Sequence, residues 1–482
     1  MDKVNEFEHG IDSTSTSNQR IVFDIEANLH YTYPSAKELI EKPKDLLEMI
    51  THHRTKQVPR LRMLDDYYLG YNTFIMQNRQ RRDANKADHR ASHNFAKYIS
   101  QFITGYMTGI PIKVEHDDED ITESLIEIND NNDANALNSD LTLDLSKYGR
   151  AYELVMRNQS DEDKFYLSSV FETFVIYDTT IERKPIAAVR YPISTMGDEA
   201  TMVITLYTEE NNYTYQEVAL DTQTLIIEDE KEHLFGEVQI IEYENNRFRQ
   251  GDYENVLTLI DLYDSAQSDT ANYMSDLNDA LLVISGDIAA SGMSSDDLIK
   301  QKQANMLILE SGVDALGNKT SVTAGYIYKQ YDVNGTEAYK KRLENDIHKF
   351  SNTPNLNDEN FAGNSTGVAM RYKLFGLEQI RSTKERLFLR GLMKRYRLIA
   401  NLKKSINETD EKADINSLKI TFTPNLPEAV EEELKAFIEA GGQLSQETLL
   451  STLSFVKSAQ EEMKRIEAEN KDAPMYDFQV GE

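Results

Sequence analysis

The 482-residue sequence contains no cysteine. Disulfides, thiolate metal sites and cysteine nucleophiles are excluded together, and the absence fits assembly in a reducing compartment. No apolar run approaches the roughly 20 residues needed to cross a bilayer. Residues 1–20 also lack the apolar segment of a signal peptide, so the chain is expected to work in solution with no membrane partner. GxGxxG, GxSxG, HExxH and Walker motifs are missing as well, which points to a noncatalytic protein with no cofactor. Positive charge is scarce: 52 Lys and Arg stand against 82 acids, a formal net charge of -30. That balance argues against nonspecific wrapping of nucleic acid, which needs Lys and Arg to displace counterions from phosphate. It leaves open DNA held at a distance.

What is present is enough for two to four structural units, since the length exceeds what one hydrophobic core usually serves. Residues 1–33 include STSTSNQ and read as a mobile tail. Pro34-Ser35 then opens a helical pattern ending at Gly70, which Pro43 and Pro59 are expected to divide into short helices. Phe95, Tyr98, Phe102, Ile103 and Tyr106 recur at helical spacing until Gly109-Ile110-Pro111 forces extension. A second helical pattern covers Ile121 to Tyr148. Between Glu153 and Tyr243 the runs become β-branched and aromatic (FVIYD, PIAAVRYPI, TMVITLYT, EVQIIEY). Strands do not alternate with helices, so the expected class is α+β, predominantly helical, rather than a doubly wound sheet.

From Gln250 the pattern is helical again. Val256, Ile260, Tyr263, Ala266, Thr270, Tyr273, Leu277, Leu281 and Ile284 predict one helix of about 30 residues, roughly 45 Å long. No Lys or Arg occurs from Gln250 to Ile299, whereas ten acids do. LLVISGD, a helical piece from Ser295 to Gln303, NMLILES and SVTAGYIYKQY read as a small α/β insert before a second helix, Glu337 to Lys349. An Asn-rich loop, Ser351 to Thr366, precedes a long helix with the apolar stripe Phe388, Leu392, Tyr396, Ile399 and Leu402. Eleven Lys or Arg fall between Arg371 and Lys404, against only Glu378 and Glu385. SLKITFT predicts a return strand, and Pro427 begins a final helix pair in which Ser445 caps the second member, with the stripe Leu449, Leu453, Phe455, Val456 and Met463.

Candidate chemistry is thin. His89 and His93 stand four apart, but Arg90 occupies the place where a zincin needs its Glu, so two polar-face helix histidines are the better reading. HDDED (116–120) reads as a solvated turn, because adjacent carboxylates share no face. GNSTG (363–367) lacks the GKS or GKT ending of a phosphate loop.

Three stretches together carry a resemblance: HRASHNFAKYISQFITGYMTGIPI, FVIYDTTIERKPIAAVRYPI and above all GNSTGVAMRYKLFGLEQIRSTKERLFLRGL. In order and spacing they resemble the portal (connector) proteins of tailed double-stranded-DNA bacteriophages, particularly long-tailed phages of Gram-positive hosts. The resemblance spans roughly residues 35 to 470 and implies an architecture of wing (34–251), stem helices (252–283 and 335–350), clip (284–334), tunnel loop (351–366), long wing helix with return strand (367–427) and crown (428–470), with a loose tail at 471–482. It also implies a ring of about twelve copies at one capsid vertex. The implied partners are double-stranded DNA in the channel, the terminase large subunit, a head-completion or adaptor protein, and the major capsid and scaffolding proteins, with assembly in the host cytoplasm. Rival readings are a nuclease with an unrecognised metal site, which would cut plasmid with Mg2+, and an acidic scaffolding protein, which would form small oligomers without a hole.

Within that resemblance the charge pattern acquires roles. Asp261, Asp264, Asp269, Asp276 and Asp279 are expected to line an acidic stem that holds DNA off its wall, an effect fading beyond about 8 Å at physiological salt. Asn352, Asn355, Asn357, Asp358, Asn360 and Asn364 are the expected DNA-facing residues of the loop, touching the backbone through sequence-blind polar contacts. Arg386, Arg390 and Lys394 are expected to meet acidic surface on a neighbouring subunit.

Overall fold

The computed structural model describes residues 24, 26–78, 88–195, 200–276, 281–286, 300, 306–310, 323–327, 332–356, 374–406, 415–425, 437–439, 445–451, 453, 456 and 459–472. Two compact units divide the chain: residues 1–355 with 376–424, and residues 356–375 with 425–482.

The first helix, Ala36–Glu41, starts where Ser35 Oγ accepts the Glu38 N–H at 3.2 Å. Pro43 then opens the helix Pro43–His52, at a position where its missing N–H has no partner to lose. Pro59 likewise stands in the first turn of a helix, Val58–Leu69, so the expected division into short helices is present although the chain stays helical across it. A π-helical turn, His53–Gln57, leads directly into Val58–Leu69, and the wider turn absorbs the proline. Gly70 ends the run at φ +87°, a left-handed position that favours glycine. Leu39, Leu46 and Ile50 of these helices are buried with Phe174, Ile176, Val189, Leu206 and Tyr215 of a six-stranded sheet. In spatial order its strands are Tyr31–Thr32, Thr173–Tyr177, Pro185–Arg190, Thr205–Tyr207, Asn211–Tyr215 and Ile227–Glu232. Only the first pair is parallel.

A second core lies under the long helix Phe375–Ser405. Its stripe Phe388, Leu392, Tyr396, Ile399 and Leu402 is the buried face, as the periodicity predicts, and packs with Leu141, Leu145, Val155 and Ile241. Each such side chain contributes about 1.5–3 kcal/mol by leaving water. Below it runs a three-stranded antiparallel sheet in the order Ile240–Glu244, Arg150–Arg157, Asp163–Ser168. The expected return strand is present as Lys419–Thr421, antiparallel to Lys113–Glu115.

The helix predicted to reach Ile284 is shorter, Leu257–Asp276, and Leu281–Gly286 is a strand instead. An aliphatic run such as LLVIS satisfies either period, so spacing alone could not choose. Leu281–Gly286 is the centre of a three-stranded mixed sheet, parallel to Met306–Glu310 and antiparallel to Thr323–Ile327. The second helix, Val333–Ser351, packs on the first: Lys340 Nζ donates to Gln267 Oε1 at 2.9 Å, and Asn255 Nδ2 to the Phe350 carbonyl at 3.0 Å. The expected helical piece at 295–303 falls outside the described residues except at 300.

In the second unit Ser445 Oγ accepts the Thr448 N–H at 3.2 Å and caps Gln446–Ser451. The stripe predicted through Met463 is divided between that short helix and Ala459–Asp472.

Candidate functional site

The acids of Leu257–Asp276 do not form one solvated face. Asp261 and Asp264 are 3% and 0% exposed, which corrects the expectation that both line a channel wall. Tyr67 Oη donates to Asp261 Oδ1 at 2.6 Å, and Asn72 Nδ2 to Asp264 Oδ2 at 2.7 Å. Asp264, Ser268 and Asn272, one helical turn apart, accept three backbone N–H groups of an extended strap. His93 N reaches Asp264 Oδ1 at 2.9 Å, Ala91 N reaches Ser268 Oγ at 3.0 Å, and His89 N reaches Asn272 Oδ1 at 2.7 Å. Successive outward N–H groups of an extended chain repeat every second residue, about 6.6 Å, close to the roughly 6.0 Å that separates residues four apart on the helix. The HRASH histidines are therefore not on a helix; Asn94 Oδ1 accepts the Lys97 N–H at 3.0 Å and starts the helix at Phe95. Asp269 is exposed, whereas the Asp276 side chain and all of Asp279 lie outside the described residues.

Burial pushes the Asp261 carboxyl up to about 6 from 3.8. A carboxyl shifted upward on folding favours the fold fully below its unfolded value, and that contribution is lost as pH rises through about 6. Asp261→Asn is thus expected to flatten stability between about pH 4 and 7, and to exceed wild type at pH 8 by about 2–3 kcal/mol in urea unfolding.

The start of the expected tunnel loop is tied into the first unit. Asn352 takes a left-handed φ of 54° and caps Val333–Ser351 through its N–H to the His348 carbonyl. Asn355 Nδ2 donates to Glu344 Oε1 at 2.9 Å, and Tyr98 Oη to the Pro354 carbonyl at 2.8 Å. Asn357, Asp358, Asn360 and Asn364 lie outside the described residues.

The cations on Phe375–Ser405 are divided, which corrects the idea of a wholly outward basic face: Lys384 and Arg395 are buried, Arg381, Lys394 and Lys403 half-buried, and Arg386, Arg390, Arg397 and Lys404 exposed. Arg395 Nε donates to Glu153 Oε1 at 2.6 Å with both side chains fully buried. Lys384 pairs with Asp252, Arg381 with Glu378 and Glu385, and Arg397 with Glu237 at 3.5 Å. Lys394 is half-buried, its Nζ 3.5 Å from the Ile240 carbonyl, and burial lowers its ammonium to about 8, so it does not share a solvent face with the other two expected contacts. Arg386 and Arg390 are exposed, Arg390 lying 3.6 Å from Glu244.

Sequence reasoning missed two further buried pairs, Arg60 with Glu254 at 2.6 Å and Arg249 with Glu242 at 2.7 Å. The first has no local signal, because its partners lie 194 residues apart. His30, Glu242 and Glu244 bring three ligand-type atoms within 4.8 Å of one another. Arg249, Arg183 and Arg150 all press on His30, which burial first and then Arg249 drive down to about 4. So many guanidinium groups oppose a divalent cation, and the trio is better described as an ion-pair cluster.

Residues 47–474 match the family model described as "Phage portal protein, SPP1 Gp6-like". The portal protein of Bacillus phage SPP1 is 24% identical over 459 residues, 90% of this chain and 88% of that protein. The portal protein of Clostridium phage phiCD119 is 24% identical over 326 residues, 62% of this chain and 68% of that one. Among solved structures, a chain of the neck of an empty GTA particle, computed with C6 symmetry, is similar at 12% identity and TM-score 0.41, covering 74% of this chain and 89% of that chain. A chain of the native gene transfer agent virion is similar at 11% identity and TM-score 0.40, covering 82% and 92%. With the family match extending over most of its length, the chain belongs to the phage portal protein family of the SPP1 Gp6-like kind.

Proposed function

We propose that the protein forms a ring of about twelve copies at one capsid vertex, a conduit through which double-stranded DNA is packaged and later ejected. The observation that carries this reading is the family match over residues 47–474. The ring is also the docking platform for a terminase large subunit, a head-completion or adaptor protein, and the capsid and scaffolding proteins, and it assembles in the host cytoplasm. ATP hydrolysis belongs to the terminase; the ring itself is noncatalytic.

The absence of Lys and Arg from Gln250 to Ile299 supports a sliding channel. One channel-facing Lys would recur in every copy, and each phosphate neutralised adds about 0.9 to the salt slope of binding, so a basic ring would hold DNA rather than pass it. Asp269, Asp276 and Asp279 remain the candidate wall residues, and Asn357, Asp358, Asn360 and Asn364 the candidate loop contacts. Negative-stain images of the purified protein are expected to contain rings with a central hole; small oligomers without one would overturn the reading. Deleting residues 357–363 is expected to leave rings intact while genome packaging falls at least about tenfold, and normal filling would reduce the loop to a linker.

A further inference from the structure

The two ends of the six-stranded sheet carry opposite chemistry. At the Tyr31–Thr32 end, Leu29 and Phe248 are 43% and 69% exposed. They are fixed side by side, because Asn28 Nδ2 donates to the Phe248 carbonyl at 2.7 Å and Arg249 Nη1 to the Leu29 carbonyl at 3.1 Å. Cations surround them. Arg247 is exposed beside Phe248, and exposed Arg183 shares an open hollow with Thr32. Arg390 projects from the long helix past Glu244, one turn from exposed Arg386. Three described acids lie among these groups: Glu244, half-buried and 3.7 Å from His30, Asp178, half-buried on the same hollow as Arg183, and Glu182, which Lys184 occupies at 2.8 Å.

The other end is the strand Ile227–Glu232, paired among the described residues only with Asn211–Tyr215. Its outer edge therefore presents backbone groups without a ladder partner there. Glu230 and Glu232 fall on one face, Glu228 stands exposed at a bulge between Ile227 and Asp229, and Lys231 is occupied by Asp229 at 2.7 Å. Ile226 and Ile227 are 59% and 40% exposed at its start. Five strand spacings of about 4.8 Å put the two ends roughly 24 Å apart, so neither can satisfy the other within one chain.

We propose that the basic, apolar end of one copy seats against the acidic edge strand of the next copy. Like charge prevents two identical edges from pairing with each other, which is the usual hazard of an open strand. A contact between two different patches is heterologous, and a heterologous contact repeated with the right rotation closes into a ring. The inference rests on the ring reading above and adds to it which surfaces meet. The interface includes Arg386 and Arg390, and it leaves out Lys394.

Two charge-reversed variants test it: Arg386→Glu with Arg390→Glu, and Glu228→Arg with Glu232→Arg. Each alone opposes like charges at every contact and is expected to remain monomeric by light scattering, with unchanged circular dichroism. Mixed in equal amounts, the two are complementary at both kinds of contact and are expected to reassociate in alternation. Association of either variant alone within about threefold of wild type would overturn the proposal, as would folded variants that fail to associate when mixed. Wild type lacking rings would instead sink the ring reading, and recovery on mixing would still report the interface, as open oligomers.

Discussion

Arg395→Met is expected to lower stability by about 3–5 kcal/mol in urea unfolding, because it strands a buried carboxylate. The Arg395 guanidinium is fully buried, donates to Glu153 Oε1 at 2.6 Å and to Asn138 Oδ1 at 2.9 Å, and lies 4.9 Å over the Phe165 ring. With Met in its place, the Tyr243 hydroxyl, at 2.6 Å, is the side-chain donor that Glu153 keeps among the described residues. Adding Glu153→Gln removes the stranded charge and should recover most of the loss, since replacing both ions is far milder than removing one. A single variant costing less than about 1 kcal/mol would mean water reaches Glu153 from a side the packing closes.

Gly391→Ala is the second large effect, and its direction opposes helix propensity. Ala in place of Gly inside a helix ordinarily gains about 1 kcal/mol. Here an added Cβ would stand 2.1 Å from Tyr243 Cε1. That ring cannot retreat cheaply: it packs on Phe388 at 4.9 Å between centroids and its hydroxyl is held by Glu153. Overpacking of this kind costs about 1–3 kcal/mol and more where nothing yields, so a net loss near 3 kcal/mol is expected. In a Tyr243→Ala background the same change should cost little, a coupling that a double-mutant cycle measures. Equal cost in both backgrounds would show that the ring is not the obstacle.

Much of the fold was legible because its signals are local. Ser35 and Gly70 bracket the first helices through a cap and a left-handed φ, and the stripe from Phe388 to Leu402 reports a face that packing then buries. The family resemblance lay in contiguous motifs and needed no geometry. Charge placement was the part that could not be read. Asp261 and Asp264 carry the same letters as a solvated acid, and what makes them internal are Tyr67, Asn72 and His93, some 171 to 194 residues away in sequence. The basic helix misleads for the same reason: an arginine facing Glu153 across 242 positions and one facing water look alike along the chain. Leu281 to Gly286 failed differently, since a short aliphatic run fits the period of either element.

The strap from His89 to His93 has a mechanical consequence. Its bonds to Asn272, Ser268 and Asp264 are strung along the helix axis, side by side. A tug parallel to that axis strains all three at once, so they resist together, whereas a sideways tug peels them in succession. The joint is therefore stiff toward thrust along the helix and yielding toward tilt, a directionality fixed by three polar residues spaced four apart.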